Sequence, residues 1–168
     1  VLLLAAYDTA FDDGPLQSAH VAPIALVFLS NLLRPDAQET FRYFASQGVS
    51  VRVISGDNPI TVAQVATRAG IENADRYVDA TTLSTEQDFE EAVKYYTVFG
   101  RVTPEQKRYL VRAFQKQGHT VAMTGDGVND VLALKDANCG IAMASGSQAA
   151  SQVAQIVLLN SQFSAMPA

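Results

Sequence analysis

The chain has 168 residues, 48% of them hydrophobic and 17% charged, a balance that suits one globular domain and excludes a disordered segment. Its formal net charge of −5, with no Lys/Arg cluster, argues against a partner whose recognition is electrostatic, and no nucleic acid is expected. Cys139 stands alone, so an internal disulfide is impossible and a reducing compartment fits, while His20 and His119 are too few and too far apart for a His-based zinc site. A domain of this size buries roughly 70% of its unfolded-chain surface and needs no covalent staples.

From the amino end, Val1–Ala6 is apolar and Ile24–Leu29 reads as a buried strand. Pro35 suits a first helical turn, and Ala37, Phe41, Phe44 and Ala45 continue it as a helical stripe that Gly48 ends. Val49, Val51 and Val53 alternate as in a strand. A second stripe, Val62, Val65, Ala66 and Ala69, closes at Gly70. Tyr77-Val78 is a weak strand, Thr85–Lys94 a helix and Thr97–Phe99 a short strand. Pro104 opens a helix carrying Leu110, Val111 and Phe114 and ending at Gly118. The remainder reads as strand Thr120–Met123, helix Val128–Asp136, strand Cys139–Met143, helix Ser147–Ala154 and strand Ile156–Leu159. The tail from Ala137 carries no charge, but its Asn, Ser and Gln residues break it into buried elements and polar turns. No stretch of about 20 apolar residues is present, so nothing here is expected to span a bilayer, and the chain itself is expected to be soluble. It opens without an initiator Met and reads as part of a longer protein.

Strands alternating with helices predict an α/β fold with a doubly wound, mostly parallel sheet. Ligands of such sheets sit beyond the carboxyl ends of the strands. Three segments there are chemically unusual. Ser55-Gly56-Asp57-Asn58 offers a hydroxyl, a glycine and free N–H groups at a helix start, either an anion site or plain helix capping. Lys107, one turn into the helix from Pro104, is either a counter-charge for a phosphoryl group or a solvated lysine. Thr124-Gly125-Asp126-Gly127-Val128-Asn129-Asp130 sets two carboxylates four residues apart. If they converge to about 4 Å they repel by roughly 4 kcal/mol at an effective dielectric near 20. A Mg²⁺ ion relieves that; the alternative is a turn followed by an Asn/Asp-rich helix start. Ser145-Gly146-Ser147 reads as a helix cap. Neither a Walker-A pattern nor a G-x-S-x-G elbow occurs.

Together these segments resemble P-type cation-transporting ATPases, members of the haloacid-dehalogenase-like superfamily. Residues 124–130 match that family's TGDGxND signature, Leu132–Ala137 and Gly140–Met143 its continuation, Ile54–Asn58 its TGD motif with Ser for Thr, and Arg101–Lys107 its R-x-x-P-x-x-K motif. Order and spacing agree from about residue 23 to 167. The resemblance implies phosphorylation by ATP of an aspartate in a DKTG motif, hydrolysis of the aspartyl phosphate, and cation movement across a membrane. It implies that Asp126 ligates Mg²⁺, that Asn129 and Asp130 orient the phosphate–metal cluster, that Lys107 stabilises the phosphoryl group, and that Ser55 and Gly56 hold phosphate oxygens. Asp57, Arg34 and Arg101 are expected on the nucleotide side.

There are departures. No DKTG occurs, so the nucleophile and its central strand are absent, and the chain by itself is expected to be inactive and to bind Mg²⁺ weakly. The family's Asp-Pro-x-Arg-Pro is here Asn31-Leu32-Leu33-Arg34-Pro35. Residues 1–22 are expected to be a remnant of the nucleotide-binding domain and hinge, and residues 23–168 the phosphorylation domain. A missing strand exposes sheet edges, so Val1–Ala6 or a neighbouring copy, as a strand-exchange homodimer, is expected to fill the gap. The remaining partners are the nucleotide-binding, actuator and transmembrane parts of the pump, placing this domain on the cytoplasmic face of the cell membrane. The transported cation is set by transmembrane residues, with Ca²⁺ or Mg²⁺ suggested by the wording of the motifs. A superfamily phosphatase, the alternative, needs a DxD-type motif before Ser55, for which Asp12-Asp13 lacks the preceding apolar strand. A non-catalytic interaction domain has no reason to keep Ser55, Lys107, Asp126 and Asp130 together.

Overall fold

A computed structural model describes residues 2–8, 20–28 and 32–166. Asp12-Asp13, Leu29 and Asn31 lie outside them. The chain forms two compact units, residues 1–32 and 33–168.

The first unit is an antiparallel ribbon of β1 (Leu2–Tyr7) and β2 (Val21–Val27). The register shifts between Leu4 and Ala5, which leaves Ile24 as an extra residue beside Pro23. A proline has no N–H for the ladder, and a bulge is where a strand accepts one. Ile24 is 63% exposed and Leu26 59%, which corrects the expectation of a buried strand at Ile24–Leu29. An apolar run encodes the strand but not its cover. The partner of β1 is β2, which likewise corrects the idea that Val1–Ala6 fills a gap in the main sheet.

The second unit is α/β. Strands β3 (Val53–Ile54), β4 (Tyr77–Asp79) and β5 (Val98–Gly100) form a parallel sheet in the order β3-β5-β4. Strands β6 (Ala122–Gly125), β7 (Cys139–Met143) and β8 (Ile156–Leu158) form a second parallel sheet in that order. Among the described residues β3 pairs only with β5 and β6 only with β7, so each keeps an unpaired edge. The expected strand over Val49–Val53 shrinks to its last residues, because Val49 is still engaged in the turn that ends the preceding helix, donating to Phe44 O.

Among the described residues, six helices alternate with these strands: α1 (Ala37–Ser46), α2 (Pro59–Arg68), α3 (Glu86–Tyr95), α4 (Pro104–Lys116), α5 (Val131–Asp136) and α6 (Gln148–Val153). Their ends follow the sequence signals. Asn58 and Thr103 cap α2 and α4 ahead of prolines at the first turn, and Thr85 with Asp88 forms a capping box on α3. Gly48, Gly70 and Gly118 sit at φ +74, +80 and +85, the left-handed geometry that closes α1, α2 and α4. Helix α1 starts at Ala37, two residues after Pro35, which lies in the turn before it.

Helices pack on both faces of the first sheet, as successive side chains of a strand require. On β5, Val98 packs with Ala63 and Ala66 of α2, and Phe99 packs with Phe89 of α3 and Leu110 and Phe114 of α4. The next residue of α4, Val111, belongs instead to the core of the second sheet, with Met123, Ala133 and Leu134. Helix α4 is thus shared by both sheets. Of α2's expected stripe, Ala66 and Ala69 are buried but Val65 is 41% exposed, Ala63 taking its place.

Gly100 ends β5 against the first residue of α2: a Cβ there would lie 2.4 Å from Pro59 Cα and 2.5 Å from its nitrogen. Both contacts are backbone, so neither can rotate away. Gly100→Ala is expected to destabilise the domain by about 1–3 kcal/mol, read as a lowered urea midpoint at unchanged m-value.

Candidate functional site

The carboxyl end of β6 passes through Asp126 and Gly127 into a 3₁₀ turn, Val128–Asp130, and then into α5. Asp130 is 7% exposed, the one buried charged residue among those described. Its Oδ1 accepts from Lys107 Nζ at 2.6 Å and its Oδ2 from the Gly127 N–H at 3.1 Å. The lysine side chain is almost as buried, at 13% exposure. Gly125 must lack a side chain, since a Cβ there would lie 2.6 Å from Asp130 Cβ. A buried carboxylate is tolerable only with such compensation.

Asp126 is placed differently. Its backbone O accepts the Ser147 N–H at 2.6 Å, and a Cβ on Gly146 would come within 2.4 Å of that oxygen. The Ser145–Ser147 turn therefore holds the Asp126 backbone as well as capping α6 through Ser147. The Asp126 carboxylate is exposed and, among the described residues, has no hydrogen bond or ion pair. Asn129 is likewise exposed. The counter-charge of Asp130 is the Lys107 ammonium, whereas the Asp126 carboxylate has no such partner among the described residues.

At the ends of β3 and β5 a second cluster forms. Ser55 donates its N–H to Phe99 O at 2.9 Å and accepts the Val102 N–H on its backbone O at 3.0 Å, and Asp57 O accepts from Arg101 N at 2.8 Å. Ser55 Oγ accepts the Asp57 N–H at 3.1 Å. The cap of α2 is Asn58, whose Oδ1 accepts from Ile60 N, so the Asp57 carboxylate is not consumed by capping. Gly56 is exposed, and a Cβ there would meet nothing nearer than Val102 O at 3.9 Å. The fold does not demand this glycine, which fits a position kept clear for close approach of another group.

Arg101, at φ +52, turns its guanidinium to Asp79 at the end of β4, with Nη1 2.8 Å from Oδ2. Hydrogen bonds from Thr81, and after them the Arg101 charge, hold the Asp79 carboxyl below the usual aspartate range. Arg34 is exposed just before α1 and makes no side-chain bond to any of these groups among the described residues. The structure therefore joins Lys107 to Asp130 directly, and ties the Ser55 turn to the Arg101–Val102 loop that leads into α4. It shows no bond between the Ser55 turn and Asp126.

Among the described residues no group of three or more His, Cys, Asp or Glu side chains could hold a metal ion. Asp126 fits a Mg²⁺ ligand by chemistry and exposure, with the other oxygens coming from phosphate, water or further carboxylates.

Sequence reading missed Asp79 and the cluster at the end of α5. Asp136 Oδ2 accepts from Arg108 Nε at 2.6 Å and from Arg112 Nε at 2.7 Å. The i, i+4 spacing of the arginines was a visible signal, but nothing in the sequence identified their acceptor.

The family model for haloacid dehalogenase-like hydrolases matches residues 2–138. The chain belongs to that family. Within it, the chain resembles the catalytic domain of P-type cation-transporting ATPases. It is 55% identical over 168 residues to the calcium-transporting ATPase CtpE of Mycobacterium tuberculosis, covering 99% of this chain and 21% of that protein. It is 42% identical to the "Probable cation-transporting ATPase exp7" of Streptococcus pneumoniae, covering 99% of this chain and 22% of that protein. The hydrolase-family domain thus spans about a fifth of the length of the curated relatives it matches. A solved structure titled "Conformational changes in the catalytic domain of the CPx-ATPase CopB-B upon nucleotide binding" shares the fold, with a TM-score of 0.62 at 23% identity over 81% of this chain and 44% of that one. No helix among the described residues is long and apolar enough to cross a membrane.

Two outcomes test this geometry. Lys107→Met strands a buried carboxylate and is expected to cost about 3–5 kcal/mol in urea unfolding, of which the double variant with Asp130→Asn recovers a large part. Burial pushes the Asp136 carboxyl up, but the donors Arg108 and Arg112 more than offset it, and the net shift is below the ordinary 3.8. A lowered folded-state value stabilises the fold fully above the unfolded value and loses that contribution as pH falls through the folded one. Asp136→Asn is therefore expected to lower stability at pH 7 and to flatten the acid limb below pH 3.8 in a pH series of urea midpoints.

Proposed function

We propose that this domain is the magnesium-binding part of the phosphorylation domain of an ATP-driven membrane cation pump that works through an aspartyl phosphate. The observation that carries the reading is the division of labour at the end of β6: one carboxylate buried and paired with a lysine, the other exposed and, among the described residues, free of partners. Phosphoryl transfer needs mainly positioning and charge stabilisation, and this arrangement supplies both.

Asp130 holds the Lys107 ammonium in place with one of its three N–H donors, leaving the others for phosphoryl oxygens. Ser55 and the N–H of Gly56 offer donors to the same phosphate. Asp126 would hold Mg²⁺, which, when bound, offsets phosphate charge. Asn129 would orient that cluster. Asp57 and Arg34 serve the nucleotide side; Arg101 does so from its pairing with Asp79.

The nucleophilic aspartate lies outside these residues. The unpaired edges of β3 and β6, with α4 packed on both sheets, leave a place for the parallel strand that would carry it. In the chain by itself those edges are open to a second copy, as in a strand-exchange homodimer. The exposed apolar ribbon β1–β2 fits the end of a nucleotide-binding domain whose remainder covers it. The partners are then the nucleotide-binding, actuator and transmembrane parts of the pump, with this domain on the cytoplasmic face of the membrane. The name of the M. tuberculosis relative makes Ca²⁺ the first cation to test.

The test uses the full-length parent in membrane vesicles. With labelled ATP and Mg²⁺ it is expected to form an acyl phosphate and to take up Ca²⁺, and Asp126→Ala is expected to slow phosphoenzyme formation by about 10²–10³-fold. A parent without phosphoenzyme, or an Asp126→Ala variant as fast as wild type, ends the reading.

A further inference from the structure

Helix α5 has six residues, too few to persist without tertiary support, yet its first turn follows directly on Asp130. It is held to α4 at both ends. At the near end Asp130 bonds Lys107. At the far end Asp136 accepts from Arg108 and Arg112, while Gln115 Nε2 donates to Asp136 O at 2.8 Å and to Asn138 Oδ1 at 3.2 Å. Between the two, Val111 of α4 shares a core with Ala133 and Leu134 of α5.

The far clamp makes little sense piece by piece. A carboxylate in the last turn of a helix faces the negative end of the helix dipole. Two arginines four residues apart on one helix repel each other. Each is explained by the other, and both arginine Nε atoms converge on one oxygen of Asp136. Lys107 and Arg108 are adjacent on α4, so the two clamps share a turn of that helix. A shift of α5 at one clamp is carried to the other.

We propose that Asp136 is a positioning residue for phosphoryl transfer: by pinning the far end of α5 to α4 it fixes the Lys107–Asp130 contact at the near end. This rests on the function proposed above. Asp136 touches no reacting atom. It acts through the lysine, whose placement matters because displacement of a catalytic group by about 1 Å can cost on the order of 10²-fold in rate.

The experiment has two arms. In the chain itself, the Lys107 Nζ resonance is followed by ¹⁵N NMR, since an ammonium held by a buried carboxylate exchanges slowly. Asp136→Asn is expected to broaden or shift it, and Asp136→Glu to restore it. Asp88→Asn, which breaks the α3 capping box and touches neither clamp, is expected to lower stability and leave the resonance alone. An Asp136→Asn chain that is less stable but keeps the wild-type Lys107 resonance overturns the proposal. Should that variant fail to fold, Arg112→Gln removes one of the two donors and is judged by the same criterion. In the parent pump, Asp136→Asn is expected to slow phosphoenzyme formation by about tenfold or more at unchanged KM for ATP, with rescue by Asp136→Glu. An unchanged rate overturns the catalytic consequence. A wild-type parent that forms no phosphoenzyme sinks the functional reading instead, and the Lys107 resonance then decides the positioning on its own.

Discussion

A buried carboxylate has to be paired, and in this domain that single requirement organises the carboxyl end of the second sheet. Asp130 takes a lysine from α4 and an N–H from its own turn. The pairing brings α4 onto α5, removes any side chain from Gly125, and shapes the turn that presents Asp126 to solvent. The fold and the chemistry meet in that ion pair. In a buried pair desolvation offsets much of the attraction, so stability is not its main product. What it fixes is geometry: a charged nitrogen held at a defined place by a buried carboxylate.

Much of the architecture was legible because its signals are local. Pro59 and Pro104 after capping side chains announce helix starts, and Gly48, Gly70 and Gly118 announce helix ends. Strands at 98–100, 122–125 and 139–143 follow from short apolar runs between those signals. The ribbon was misread for a corresponding reason. Val21–Val27 has the composition of a buried parallel strand, but burial depends on what lies over it, and no local pattern encodes that.

The site was legible to the same extent. The motif positions of Lys107 and Asp130 were plain, and their contact follows from α4 and the β6 turn sharing one core. That Asp126 and Asp130 differ in burial was not readable from their spacing, because it depends on which of them α4 reaches. Asp79 and Asp136 were missed outright. Each sits at the end of an element and is answered by an arginine distant in sequence, 22 residues away for Asp79 and 28 and 24 for Asp136. Partners so far apart leave no trace in periodicity.

Helix α4 sends Leu110 and Phe114 into one sheet and Val111 into the other. It is a rigid rod laid across a seam. A wedge driven into that seam, such as an extra strand, or a change in its width cannot be absorbed by one half alone; the rod must tilt, and its first turn carries the lysine. Mechanical opening of the sheet and displacement of charge at its rim are therefore one motion, a lever whose short arm ends at the chemistry.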